Sequence, residues 1–492
     1  MKINKIFIIA GLLGSSLLSS CDDWLNVIPS DQIKEEELFK TGNGFRNALN
    51  GVYRQLSMRE LYGRNLSWGI IESLGQVYDL TVASDASTKD MKRLLDYKYK
   101  DNDVVSVTDA MWEKAWNSIA NCNNIIQNVQ TKDSTLFYGR NREKNMILGE
   151  AIALRAYIHL DLLRLYAPAP STHPTNVYIP YVDIYPSYIS NRKTVEECLS
   201  LIIRDLKEAQ SIMQIVDKNS GFSTSSRFEN IASGEERFLN SRGYRMNYYA
   251  ITGILARAYL YAQKYDEAYT EAMKVIKKKS NFAFSDYYDI EYDGNMKLYG
   301  DVILAFYNTD LTDWDQEANH INDSKEDYEK TFIAINNVES IFGEDLEDDY
   351  RSKYQMEEVY YSYRTLKYYK QGLSSIVSRT NNNLIPALRL SEMYYIAAES
   401  IYDKNPDEAQ SYLDIVKEAR GLEALDYSTV NSKDDFIKLI VNDARREFIG
   451  EGQIFFMYKR LNQPIPKTST TNVSPTNENY VMPLPDSETN LN

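Results

Sequence analysis

The stretch at 254–276, ILARAYLYAQKYDEAYTEAMKVI, places a large residue at Leu255, small ones at Ala256 and Ala268, and an aromatic at Tyr259. That is the spacing of a tetratricopeptide helix pair. It has a packing reason: the two alanines let antiparallel helices approach closely, and the tyrosine fills the space beside them. A second copy, YYIAAESIYDKNPDEAQSYLDIV at 394–416, puts Ile396, Ala397 and Ala409 in equivalent places. Pro406 opens its second helix, as the first helical turn allows. Two copies this far apart mean an interrupted helical scaffold rather than a regular solenoid.

Outward from these copies, apolar residues recur mainly with a period near 3.6 and strand-like alternation is sparse. Helices are expected over 41–56, 109–129, 144–166, 194–213, 244–263, 266–278, 389–402, 407–420 and 433–448. Thr194 with Glu197 three residues on reads as a capping box. Only 301–307 reads as a strand. The segment 167–187 carries Pro168, Pro170, Pro174, Pro180 and Pro186 and must run extended or turning. The fold class expected is mainly α, with long irregular loop inserts and little β. A single domain over 21–492 is expected, its halves at about 21–220 and 241–492.

The N-terminus addresses the chain. Lys2 and Lys5 precede a short apolar run, and Leu18-Ser19-Ser20 stands immediately before Cys21. That is a lipoprotein signal, too short to span a bilayer. Cleavage before Cys21 exposes a thiol and an amino group for acylation, so the mature chain is expected to be lipid-anchored in the outer membrane. Asp22 and Asp23 after the cysteine resemble an acidic surface-export tag.

Losing the two signal lysines takes the formal net charge from −15 to −17. Such a balance repels phosphate backbones, and without a basic stripe it argues against a nucleic-acid partner. Cys122 and Cys198 both fall in helical patterns and read as two buried thiols rather than a disulfide framework. His159, His173 and His320 show no metal-ligand spacing. His159 lies mid-helix and reads as a packed side chain. No nucleophile elbow, phosphate-binding loop or dinucleotide fingerprint is present. No cofactor is expected. The acid-rich stretch 286–293 is retained as a calcium candidate, although it lacks the regular ligand spacing of an EF-hand.

Six blocks then fall in a telling order: MWEKAWNSIANCNNIIQNV at 111–129, EAIALRAYIHLDLLRLYAPAP at 150–170, ILARAYLYAQKYDEA at 254–268, ALRLSEMYYIAAES at 387–400, ARREFIGEGQIFFMYKR at 444–460 and YVMPLPDSETN at 480–490. With the post-anchor segment CDDWLNVIPSDQI at 21–33, they resemble SusD/RagB-like proteins, the outer-membrane nutrient-binding lipoproteins of Bacteroidetes. The resemblance implies a back of four tetratricopeptide-like helix pairs and a face built from irregular inserts. It implies no catalysis, an oligomeric ligand (a glycan or, in some members, a peptide), and a TonB-dependent SusC-like barrel transporter as partner. The chain departs from the family in ending soon after Pro483-Leu484-Pro485 and in carrying Ala167 to Pro170 where Gly-x-Pro is common. A lipid-anchored surface hydrolase and a purely structural lid are the rival readings.

Tyrosine is the composition outlier, at 39 residues beside 16 Phe and 5 Trp. Most tyrosines are expected between helices. Those in loops are candidates to contact ligand, because sugar rings and peptide side chains stack on flat apolar faces. Trp68, Tyr78, Asp79 and Tyr97 come from one such loop region, where the family builds part of its ligand face. Tyr292 and Trp314 come from a second region, which also holds Tyr287, Tyr288 and Tyr307. Trp314 sits among acids and amides and reads as exposed, whereas Trp112 and Trp116, at i and i+4 on a helix, read as core.

Overall fold

The structure, a computed structural model, describes residues 35–217, 234–240, 242–292, 294–311, 313–314, 331–368 and 383–489. The signal segment and Cys21 lie outside the described residues. The longer helices are α1 (Gly42–Leu56), α2 (Asn102–Thr131), α3 (Arg140–Tyr166), α4 (Val195–Asp217), α5 (Tyr248–Tyr261), α6 (Tyr265–Ile276), α7 (Leu390–Ile401), α8 (Pro406–Glu418), α9 (Lys433–Glu447) and α10 (Ile454–Leu461). Chain neighbours pack on one another in a row, from α1 on α2 through α6 on α7, and α7 then meets both α8 and α9. Ala256, Ala268, Ala397 and Ala409 are all fully buried in these contacts, with Leu255, Tyr259 and Ile396 buried beside them. The repeat spacing therefore does the packing it implies.

Helix starts follow their local chemistry. The Thr41 hydroxyl accepts from Gly44 N at 3.1 Å and fixes the first turn of α1. At α4 the capping box forms as read: Thr194 N–H donates to Glu197 Oε2 at 2.8 Å, and Glu197 N–H donates to Thr194 Oγ1 at 3.2 Å. Helix α3 is buried along nearly its whole length, as suits the helix at the centre of a bundle. Among its buried polar residues, Arg155 donates to Asp205 of α4 at 2.8 Å and to Asn123 of α2 at 2.9 Å. Between α5 and α7, Arg257 grips Glu392 with two bonds of 2.6 Å, a bidentate pair that fixes the crossing of the two repeat copies.

The expected strand forms as β4 (Val302–Tyr307), antiparallel to β8 (Leu384–Arg389), with Phe306 opposite Ile385. Strand β8 was not foreseen. It is buried at every position, so it shows no alternation, and it runs directly into α7. Short two-stranded pieces edge the loops: β1 (Tyr78–Asp79) with β5 (Ala334–Ile335), β2 (Val177–Pro180) with β3 (Arg192–Thr194), and β6 (Met356–Val359) with β7 (Ser362–Thr365). One continuous hydrophobic core reaches from Phe39 to Met482. Cys122 and Cys198 are free and buried. Among the described residues no helix is long and apolar enough to cross a membrane.

Candidate functional site

Where α8, α9 and the inserts meet, the core is ionic. Arg351 donates to Asp349 and Asp443 at 2.7 Å each and to Glu447 at 3.1 Å. Arg420 grips Glu447 at 2.6 and 3.0 Å and also binds Asp301. Glu451 takes Arg389 and Lys367, the latter at 2.7 Å. All of these side chains are buried, so each charge depends on its partners. Burial opposes the ionisation of Glu447, but the guanidiniums of Arg420 and Arg351 outweigh it and hold the carboxyl well below the usual range. Glu72 stands at the edge of the hub without such a partner. Burial pushes it up to about 8, although the Gly452 and Gly450 N–H groups donate to it.

This hub carries an aromatic surface on two mounts. Ser285 N–H donates to Asp301 at 2.7 Å and starts a one-turn helix, Tyr287–Glu291. Asp349 caps a second turn, Tyr350–Lys353, while Tyr350 N–H donates to the Arg420 carbonyl at 2.9 Å. Gly421, at φ 81°, allows the close approach of the Tyr350 ring, which a β-carbon there would meet at 2.3 Å. Five tyrosines gather across the two mounts: the Tyr287 ring lies 5.7 Å from both Tyr350 and Tyr354. Tyr288 and Tyr292 stack at 5.6 Å with their planes 24° apart. Those two rings are 68% and 67% exposed, far more than tyrosines used for packing. Hydrogen bonds to Glu291 and Tyr354 raise the Tyr287 phenol, keeping it neutral and able to donate.

The residues singled out from sequence separate on this geometry. Tyr292 belongs to the stacked pair. Asp79 is exposed, and its carboxylate accepts from Thr81 N–H at 2.9 Å. Tyr97 is half-buried, its hydroxyl donating to the Leu74 carbonyl at 2.6 Å, and it lines a groove of about 840 Å³ with Tyr99, Tyr178 and Met482. Trp314 is buried, contrary to the exposure expected of it: its indole lies against Gly63, with the Arg59 guanidinium 5.4 Å from the ring. Trp68 and Tyr78 are buried too, and Trp68 Nε1 donates to the Gly63 carbonyl at 2.8 Å, closing the loop that Trp314 covers. These three rings hold the inserts in place and offer no open face. Trp112 is core, as read, and Trp116 is half-buried against it.

Asp286 and Asp289 of the calcium candidate serve as reciprocal caps of the Tyr287–Glu291 turn. Among the described residues no group of three or more His, Cys, Asp or Glu is arranged to hold a metal ion. His159 is fully buried and pushed down to about 3, chiefly by burial. Its Nε2 accepts from Val182 N–H at 3.0 Å, and Nδ1 lies 2.8 Å from the Arg155 carbonyl. Both ring nitrogens are therefore committed to the scaffold.

Sequence reading passed over Tyr350 and Tyr354, whose i, i+4 spacing in DDYRSKYQM was the available signal. It also passed over Tyr360 and Tyr361, the two-residue tip between β6 and β7, where Val359 pairs with Ser362. Both tip residues have left-handed backbone, φ 46° and 62°. Asn-Gly is preferred at such positions, and an ordinary residue there costs about 1–2 kcal/mol. Their rings lie 5.4 Å apart and are 58% and 87% exposed.

The family model described as "SusD family" matches residues 217–492. This chain belongs to the SusD family. A second model, described as "Starch-binding associating with outer membrane", matches residues 24–232 of the same SusD-family chain. A SusD-like protein of Formosa agariphila, P38, is 23% identical over 92% of this chain and 90% of its own length. Among solved structures, a SusD superfamily protein of Bacteroides thetaiotaomicron superposes with a TM-score of 0.70 at 21% identity, covering 92% of this chain and 98% of that one. A SusD-like carbohydrate-binding protein of Bacteroides vulgatus gives 0.67 at 19%, covering 92% and 96%. These likenesses carry the fold. Within it, the family-like block at 444–460 supplies Glu447 and Glu451 of the hub, together with the glycine N–H groups that hold Glu72.

Proposed function

We propose that this chain is a non-catalytic, surface-exposed lipoprotein, anchored through acylated Cys21, that captures an oligomeric glycan and delivers it to a TonB-dependent outer-membrane transporter. The observation that carries this reading is the Tyr288–Tyr292 pair, two parallel, exposed rings on a rigid mount. A sugar presents a flat face of C–H groups that stacks on such rings, while phenol hydroxyls and nearby carboxylates take its hydroxyls. Membership of a family with a starch-binding, outer-membrane description supports the ligand class. Apart from Glu72 at its edge, which the Gly450 and Gly452 N–H groups hold, the carboxylates of the hub are each bound to arginine or lysine, which suits them to holding structure rather than to transferring protons. Cys21→Ala should abolish labelling by a fatty acid.

The decisive test is calorimetric titration of the mature protein with a panel of polysaccharides and peptides. Wild type should bind a glycan saturably, and Tyr288→Ala/Tyr292→Ala should weaken that binding by about 1–2 kcal/mol, as truncation at a binding hot spot does. Undiminished binding by the double variant would remove the stacked pair from the site. Saturable binding of peptides alone would replace the glycan.

A further inference from the structure

Among the described residues of the inserts, two pairs of neighbouring tyrosine rings are exposed, and only one belongs to the mount described above. The other is the Tyr360–Tyr361 tip. Tyr360 follows Tyr354 by six positions, and at about 3.3 Å per residue the tip stands no more than about 20 Å from the first cluster. Backbone conformation argues that the tip is there for its rings. Residues that relieve a left-handed turn are small, yet this hairpin holds two large phenols outward on unfavourable backbone. A tip selected for folding alone would carry asparagine and glycine.

Charge narrows what can lie across the two surfaces. Exposed Glu357 and Glu358 lie on the hairpin, and Arg364, the cation on its other strand, is paired with Glu357 at 2.7 Å. Burial, followed by the field of Glu358, Glu339 and Glu347, raises the phenol of Tyr363 on the same hairpin, a sign of net negative surroundings. At the first cluster Glu291 bonds Tyr287, and among the described residues the cation on an aromatic face there is Lys353, 5.6 Å over Tyr354. A polyanion crossing from one surface to the other would meet carboxylates at both ends.

We propose that the Tyr360–Tyr361 tip is a second contact for the ligand held at Tyr288 and Tyr292, and that this ligand is an uncharged glycan long enough to reach both. The inference rests on the glycan-binding reading above and adds to it a length requirement and a charge class. A monosaccharide or a short oligomer occupies one surface. A longer chain stacks on both and is held by the sum, with no ordering of the protein required, since each pair is already mounted.

Retardation in native gels containing amylopectin, xylan, galactomannan, polygalacturonate or carrageenan tests the charge class. Wild type should be retarded by at least one of the three neutral polymers and by neither anionic one. Tyr360→Asn/Tyr361→Gly tests the tip, because it removes both rings while giving the turn residues it prefers. Its melting temperature should equal or exceed that of wild type. Affinity for the retarding polymer should fall about fivefold or more, while affinity for a trisaccharide of the same linkage stays unchanged. Tyr288→Ala/Tyr292→Ala should weaken both ligands. If no neutral polymer retards wild type, the glycan reading fails and this inference goes with it. If a neutral polymer retards wild type and the tip variant equally, the tip is only a strained turn and the glycan reading stands. Retardation by polygalacturonate or carrageenan overturns the charge class.

Discussion

Two acid-rich stretches of the inserts, 286–292 and 308–314, look alike as sequence and point their aromatics in opposite directions. In the first, Ile290 is fully buried and Tyr288 and Tyr292 flank it two residues to either side. Positions two apart on a helix face away from each other, so burying Ile290 turns both rings outward. In the second, Leu311 is fully buried and Trp314 follows at i+3, on the same face. The indole goes in with the leucine, and Trp314 N–H donates to Asp310 at 3.0 Å to close the turn. Polar neighbours decide nothing here. What decides is the phase of the aromatic relative to the aliphatic residue that the core claims.

The comparison breaks most visibly at the shared foundation. Arg420 is fully buried between Glu447 and Asp301, and Asp301 in turn holds the start of the 286–292 turn. Arg420→Ala leaves two carboxylates buried beside a cavity and should lower stability by about 3–5 kcal/mol, read from denaturant unfolding. The tyrosine surface should lose its ligand as its mount loosens. A loss below about 1 kcal/mol would mean that the hub relaxes without Arg420 and does not set the mount.

Trp314→Ala comes next and separates the two turns directly. Deleting a buried indole packed on Gly63 should lower stability by about 3 kcal/mol or more, while the variant, still folded at low temperature, should keep its glycan affinity. Unchanged melting together with lost binding would return Trp314 to the ligand face.

These outcomes explain what the sequence could and could not reveal. Helices α1, α2, α4, α6, α8 and α9 are legible because each buries one face, and α3, α5 and α7, buried nearly all round, because each is a long run of apolar and small residues; either pattern lies within a single stretch of chain. The small residues of the repeat copies are legible for the same reason: Ala256 and Ala268 are close in sequence and in space. The hub is not. Its pairs, Arg351 with Glu447, Arg389 with Glu451 and Arg420 with Asp301, join residues far apart in the chain, and in a sequence with 70 acids no partner stands out. Helix α10 was missed because it is only eight residues long, too short a stretch to establish a period of 3.6. Of the candidate ligand residues, Tyr292 is exposed on the mount and Trp68, Tyr78 and Trp314 are buried, because exposure depends on turn phase and on which loop lies above. The Tyr360–Tyr361 hairpin had no turn signature to read, since it forms against the preference of its own residues.

The finest test leaves every ring in place. The Asp286 carboxylate accepts from Asp289 N–H at 3.0 Å, and Asp289 returns a bond to Asp286 N–H at 3.2 Å. This capping box is what makes a five-residue stretch hold one helical turn, which would be marginal in isolation. Asp286→Ala removes half of the box at a cost of about 1 kcal/mol. Because the turn lies at the periphery, that cost should appear as local opening rather than as a lower global melting temperature. Tyr288 and Tyr292 would then be parallel for a smaller fraction of the time, and ligand affinity should drop several-fold, less than when the rings are deleted. Asp286→Asn keeps an acceptor oxygen at the cap and should restore most of the affinity, whereas a requirement for the negative charge itself would leave it as weak as the alanine variant. If Asp286→Ala binds like wild type, the two tyrosines act one at a time and the turn that aligns them is not part of recognition.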